Sequence, residues 1–171
     1  MTRLNKLFLL FLTFFLFNFS TSYSNDKIVY LDIENLVKKT NIGMSILKEL
    51  EEKNQANLIE LKNKKEIIIA NENEIKKTQN ISSQNDINDK IKNLNNNIND
   101  FNNLKKDLDS NFNNLKNEKF NNFFNLINPI ISEYMSQNSI SIIFDKKNIF
   151  VGNNDYEITD NIIELINKKF N

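Results

Sequence analysis

Carboxylates and lysine amines are the only plentiful groups in this sequence that could do acid–base chemistry. The chain has 171 residues, with 22 acidic side chains, no His and no Cys. That removes an imidazole base, a thiol nucleophile and the ordinary zinc and haem ligands. Glu49, Glu51 and Glu52 form one acidic cluster, placed early enough in a helical stretch to offset its dipole. Asp145 and Asp155 sit beside turn-forming residues and read as turn formers. Paired carboxylates of the glycosidase kind need a formed cleft between them, and the pattern below offers none. Tyr30, Tyr134 and Tyr156 read as packing anchors. The two glycines, Gly43 and Gly152, are too far apart for a P-loop or a dinucleotide fingerprint. The expectation is a protein without enzymatic activity, cofactor, metal or nucleotide. With 22 basic residues against 22 acidic ones, no nucleic-acid partner is expected either.

What remains is shape. The 35 asparagines, like the many Lys and Ile, have A/T-rich codons and reflect genome composition. The sequons at Asn18 and Asn80 are expected products of that abundance. Residues 1–24 carry Arg3 and Lys6, then an apolar run over 7–17, then small polar residues to Ser24. This is the order of a secretory signal peptide cleaved near Ser24. The run is about half the ~20 residues of a membrane span, although an uncleaved anchor is the alternative. Cleavage leaves 147 residues with 20 Lys and 22 acids, in an exported compartment where ATP is scarce.

In the remaining chain, Ile28-Val29-Tyr30-Leu31 reads as a strand and residues 32–39 as a short helical turn. From 44 to 137 there is one proline and no glycine, so this stretch is predicted helical. Positions 87, 94, 101, 108 and 115, with 91, 98 and 112, form an apolar seam of coiled-coil spacing. The first half has a narrower stripe at 47, 61, 68 and 75. Residues 78–86 are rich in Ser, Asn and Asp, which favour turns. The prediction is an antiparallel hairpin with arms of about 50–55 Å; a continuous rod is the alternative. Pro129 predicts a kink or restart. Residues 140–144 read as a strand and 149–151 as its hairpin partner. Thr159 or Asp160 is expected to cap a closing helix. The fold class is α+β, mostly α. The hairpin, 44–137, stands on a body built from 25–43 and 138–171. A body this small leaves sheet edges open, so self-association is expected.

Lys27-Ile28-Val29-Tyr30-Leu31-Asp32, Gly43 at the opening of the long helix, the strand at 140–145 and Glu157-Ile158-Thr159-Asp160 resemble the Skp (OmpH-like) family of periplasmic chaperones. The resemblance implies a homotrimer with an intersubunit β-barrel and three helical arms. It implies a periplasmic, ATP-independent holdase whose cavity keeps unfolded outer-membrane β-barrel proteins from aggregating. Val29, Leu31, Ile140, Ile142, Phe144, Ile149 and Val151 are the expected oligomer body, with Phe144 and Phe150 on facing strands. Ile59, Ile67, Ile69 and Leu104, off the seam, are candidates for client contact or for contact with the sister helix. The segment 44–136 holds 13 Lys and 14 acids, unlike the basic arms of many members. Long-range electrostatic capture is therefore not expected, and contact with a membrane surface or lipopolysaccharide gains no support. The rival expectation is a structural envelope coiled coil that serves as adaptor for one folded partner.

Overall fold

The computed structural model describes residues 27–170. The export signal read in residues 1–24 lies outside them. Strand β1 is Lys27–Leu31, and α1 is Ile33–Lys39. Helix α2, Asn41–Thr78, and helix α3, Gln84–Gln137, make the hairpin. Strand β2 is Ile140–Asp145, and α4 is Thr159–Lys169.

Each junction has a local cause. Asp32 caps α1 by accepting from the Asn35 backbone N–H at 2.9 Å. Thr40, fully buried, caps α2 by accepting from the Gly43 N–H at 3.2 Å. Gly43 is required by the close approach of α1: a Cβ there would lie 2.1 Å from the Val37 carbonyl oxygen. Ser83 caps α3 through the Asp86 N–H, 3.2 Å away. The turn expected around residues 78–86 therefore exists, and the helices form a hairpin rather than one rod. Lys90 meets Glu74 at 2.8 Å near the tip, and Lys119 meets Glu49 at 2.7 Å near the root, which fixes antiparallel pairing. At 38 residues, α2 is about 57 Å long.

Two sequence expectations fail in the hairpin. The helix does not restart at Pro129, because α3 runs through it. Pro129 and Asn125, whose carbonyl loses its helical donor, are both exposed, so water replaces the lost bond. Ile127 and Ile130, on either side of Pro129 in sequence, are buried and keep this stretch packed against the core. The acidic cluster does not offset the α2 dipole either. The first turn of α2 contains no acid, and the dipole acts only over that turn. Glu49 pairs with Lys119 instead.

The sheet is parallel, not a hairpin. β2 pairs with β1, with Val29 opposite Ile143 and Tyr30 opposite Phe144. Parallel strands need a crossover, and here the whole helical hairpin supplies it. Residues 149–151 form no strand among the described residues, which corrects the expected β2 partner. Asp145 caps a 3-10 turn over Lys146–Asn148, accepting from the Lys147 N–H at 3.1 Å. The chain then folds so that Gly152 lies against the Tyr30 ring, with room for no more than a hydrogen. The second neighbour of β1 is Glu157, in a single parallel bridge, where the Ile158 N–H donates to the Tyr30 carbonyl at 3.0 Å.

The core lies where these elements meet. Val29, Leu31, Leu36, Phe123, Ile127, Ile140, Ile162 and Ile166 are buried in one cluster. α4 starts at Thr159 with no side-chain cap at Ile158, so Thr159 does not cap it as expected. Its hydroxyl accepts from the Asp32 N–H at 2.9 Å and donates to the Glu157 carboxylate at 3.0 Å. Asn167 further ties α4 to the α1–α2 junction, accepting from the Asn41 N–H at 2.8 Å.

Candidate functional site

Two surfaces offer chemistry, and both are apolar. The first runs along the hairpin. Of its mid-arm seam only Leu50, Asn57, Ile87 and Leu108 are buried. A two-helix arm has no third helix to cover its flanks, so apolar residues off the seam face solvent. Ile59, Ile67 and Ile69 are about half exposed. Leu104 is partly buried. Sequence reasoning missed Leu58, which is half exposed, and treated Leu47 as seam although it is open to solvent. The signal was present: Leu47, Leu58 and Ile69 recur every 11 residues. Eleven residues make about three turns, so the three lie almost in line, about 16 Å apart.

The second surface is on the body. Alternation along a strand sends successive side chains to opposite faces. Val29 and Leu31 therefore enter the core, while Ile28, Ile142 and Phe144 stay about half exposed on the other face. Ile140 shares the parity of Ile142 yet is buried. A register irregularity between Lys27 and Ile28 shifts the ladder there and turns Ile140 inward. Ile149 is half-buried, whereas Phe150 and Val151 are almost wholly exposed. Phe150 is thus not facing Phe144 across a ladder. Tyr30 is buried, with its hydroxyl donating to the Asn153 carbonyl at 3.2 Å. Tyr134 packs partly buried against the core, and Tyr156 is about half exposed.

Charge around these surfaces is paired. Hydrogen bonding to Glu157 raises the pKa of Lys146, and the bond from Lys147 lowers that of Asp145. Glu34 does the same for Lys38 that Asp145 does for Lys147, raising it. These pairs are exposed and position side chains more than they stabilise the fold. Among the described residues no cluster of three or more acidic groups could hold a metal ion. No described helix is long and apolar enough to cross a membrane. Two of the segments that carry the sequence resemblance, 27–32 and 157–160, meet in space: the Asp32 N–H donates to the Thr159 hydroxyl at 2.9 Å and the Ile158 N–H to the Tyr30 carbonyl at 3.0 Å.

The chain superposes on a crystal structure from Caulobacter crescentus CB15, described provisionally as an outer membrane chaperone (OmpH-like), with a TM-score of 0.73. The match covers 84% of this chain and 85% of that one at 12% identity, which establishes a shared fold. No curated protein matches the sequence. The sequence model for outer membrane protein (OmpH-like) matches residues 27–166, from β1 into α4. The chain therefore belongs to the OmpH-like outer membrane protein family.

Proposed function

We propose that this protein is an ATP-independent holdase of the periplasm. Its arms surround unfolded outer-membrane β-barrel proteins and deny their strands other partners until they assemble elsewhere. The observation that carries the reading is the row of exposed apolar side chains on an otherwise polar, nearly neutral two-helix arm. Such contacts are individually weak and exchange readily, and many together hold a flexible chain by avidity. An unfolded barrel strand presents unpaired backbone and alternating apolar residues, the hazard that a holdase must mask.

The working form is a homotrimer. A two-stranded sheet is marginal by itself. Here its outer face carries Ile28, Ile142 and Phe144, with Phe150 and Val151 exposed nearby. Copies that cover these residues for one another would extend the sheet into a barrel and bring three arms around one cavity. Of the expected oligomer body, Val29, Leu31 and Ile140 are spent on the subunit's own core. Ile142, Phe144 and Val151 remain for the assembly, with Ile149 beside them.

The test is dilution of a denatured outer-membrane barrel into buffer with the purified protein and no nucleotide. Light scattering should rise more slowly as the protein is titrated to a threefold subunit excess. Unchanged scattering at large excess would reject the holdase and favour an adaptor that binds one folded partner.

A further inference from the structure

A cavity of about 540 Å³ opens at the root of the hairpin, between the arm and the body. Its floor is apolar: Ile33 and Val37 from α1, Leu47 from α2, and Phe120 and Phe124 from α3. Phe124 is set edge-on to the buried Phe123, with ring centroids 5.5 Å apart and planes at 73°. The floor is therefore anchored in the core.

The rim is charged but closed. Three acids, Asp32, Glu34 and Asp145, face three lysines, Lys38, Lys146 and Lys147. Lys38 bonds Glu34, Lys147 bonds Asp145 at 2.9 Å, and Lys146 bonds Glu157 at 2.8 Å. Asp32 accepts from the backbone and side chain of Asn35 at 2.9 and 2.8 Å. An anionic visitor would lose water and find all three rim lysines already paired, and a cationic one would find only Asp32, whose carboxylate is already held by Asn35. An uncharged apolar group loses nothing and buries its surface on the floor. The volume falls within the range of side-chain and small-ligand sites, too small for a folded partner to enter.

We propose that this cavity takes an aromatic side chain from an extended, unfolded polypeptide. This deepens the holdase reading and rests on it. Strands of outer-membrane barrels carry girdles of aromatic residues, which supply such side chains in the unfolded client. The site is continuous with the arm, because Leu47 is both a wall of the cavity and the first member of the Leu47, Leu58, Ile69 row. A segment anchored by one ring at the root can extend along that flank. The alternative occupant is a second copy of this chain, which the experiment separates.

The experiment uses the complete protein and a fluorescein-labelled ten-residue peptide that alternates Phe with Ser. A control peptide has every Phe replaced by Ser. Fluorescence anisotropy should show the Phe peptide binding at least about tenfold more tightly. Leu47→Arg, which fills the cavity from its solvent side, should weaken that binding about tenfold. Leu58→Arg, on the same flank but outside the cavity, should change it less than threefold. The native mass by light scattering should be the same for wild type and both variants. In the wild type, the methyl signals of Ile33, Val37 and Leu47 should shift on peptide addition, a readout independent of how the variants fold. Equal loss in both variants, or unmoved methyl signals, would overturn the proposal in favour of diffuse contact along the arm. A changed mass for Leu47→Arg would overturn it in favour of a second copy. Peptide binding without suppression of barrel aggregation would reject the holdase and keep the cavity. Suppression with binding indifferent to Leu47→Arg would do the reverse.

Discussion

The root and the arm of this molecule are built from the same residue types and are held together differently. At the root, Leu36, Phe123, Ile127, Ile162 and Ile166 are completely buried, and segments more than 120 residues apart are stitched by Thr159 and Asn167. In the arm, the 38 residues of α2 bury only Leu50 and Asn57 beyond Gly43 of its first turn. The seam there admits Asn as readily as Leu. Such an arm opens locally at little cost while the root stays closed. The difference teaches how one small chain combines a fixed base with an adaptable surface. Side chains that the arm does not spend on itself are left for something else to cover.

The largest expected effect separates the two faces of one strand pair. Val29 is 1% exposed. Val29→Asp buries an unpaired carboxylate and should cost about 3–5 kcal/mol, enough to unfold the body in urea titration. Ile142→Asp lies on the open face and should leave the fold intact by circular dichroism. It should instead reduce the native mass from that of the proposed trimer to that of a monomer. A folded Val29→Asp would mean that the core strands are placed wrongly. Gly43→Ala comes next. The added methyl meets the Val37 carbonyl oxygen, so α1 and α2 must move apart, at about 1–3 kcal/mol. Unfolding midpoints should fall for the root while arm helicity is retained.

Asn57→Leu sharpens the comparison from the other side. It replaces a buried polar residue of the arm seam with an apolar one and should tighten the hairpin by about 1 kcal/mol. Amide exchange around residues 54–61 and 105–112 should slow, with no change around Phe123. If exchange at the root slowed equally, arm and root would be one cooperative unit and the distinction drawn above would fail.

The arm was the more legible part in sequence, because periodicity is local. The column 87, 94, 101, 108, 115 and the turn at 78–86 needed no knowledge of the rest of the chain. The two strands were found, but not their partnership. β2 was expected to turn back on residues 149–151, a local pairing, whereas it pairs with β1 across the whole hairpin. No periodic signal announces a parallel partner that far away. Pro129 misled because its cost depends on which side of the helix faces water, a tertiary fact. Thr159 misled because its hydroxyl is taken by Asp32, a residue 127 positions earlier. The exposed row at 47, 58 and 69 was legible in spacing, but its exposure follows from the arm having only two helices. The cavity at the root was not legible at all, since three helices and the end of β2 must meet to form it.

The smallest expected effect is at the tip, where the arm should be loosest. Glu74 bonds Lys90 at 2.8 Å, and that bond is the main reason the Glu74 pKa is lowered from its ordinary value. A lowered carboxylate pKa means that the folded state favours the charged form. The stabilisation is present at pH values above the ordinary glutamate pKa, and it is lost as pH falls through the lowered one. Both partners are open to water and salt, so the effect on overall stability should be slight. It should still be visible site by site. In a carbon-detected titration, Glu74 should reach its midpoint below the ordinary glutamate pKa. Lys90→Gln should raise that midpoint toward the ordinary value, and about 1 M salt should raise it part of the way in the wild type by screening. If Glu74 titrated at the ordinary value in the native protein, the tip pair would be open most of the time. The looseness assigned to the arm would then extend fully to its end.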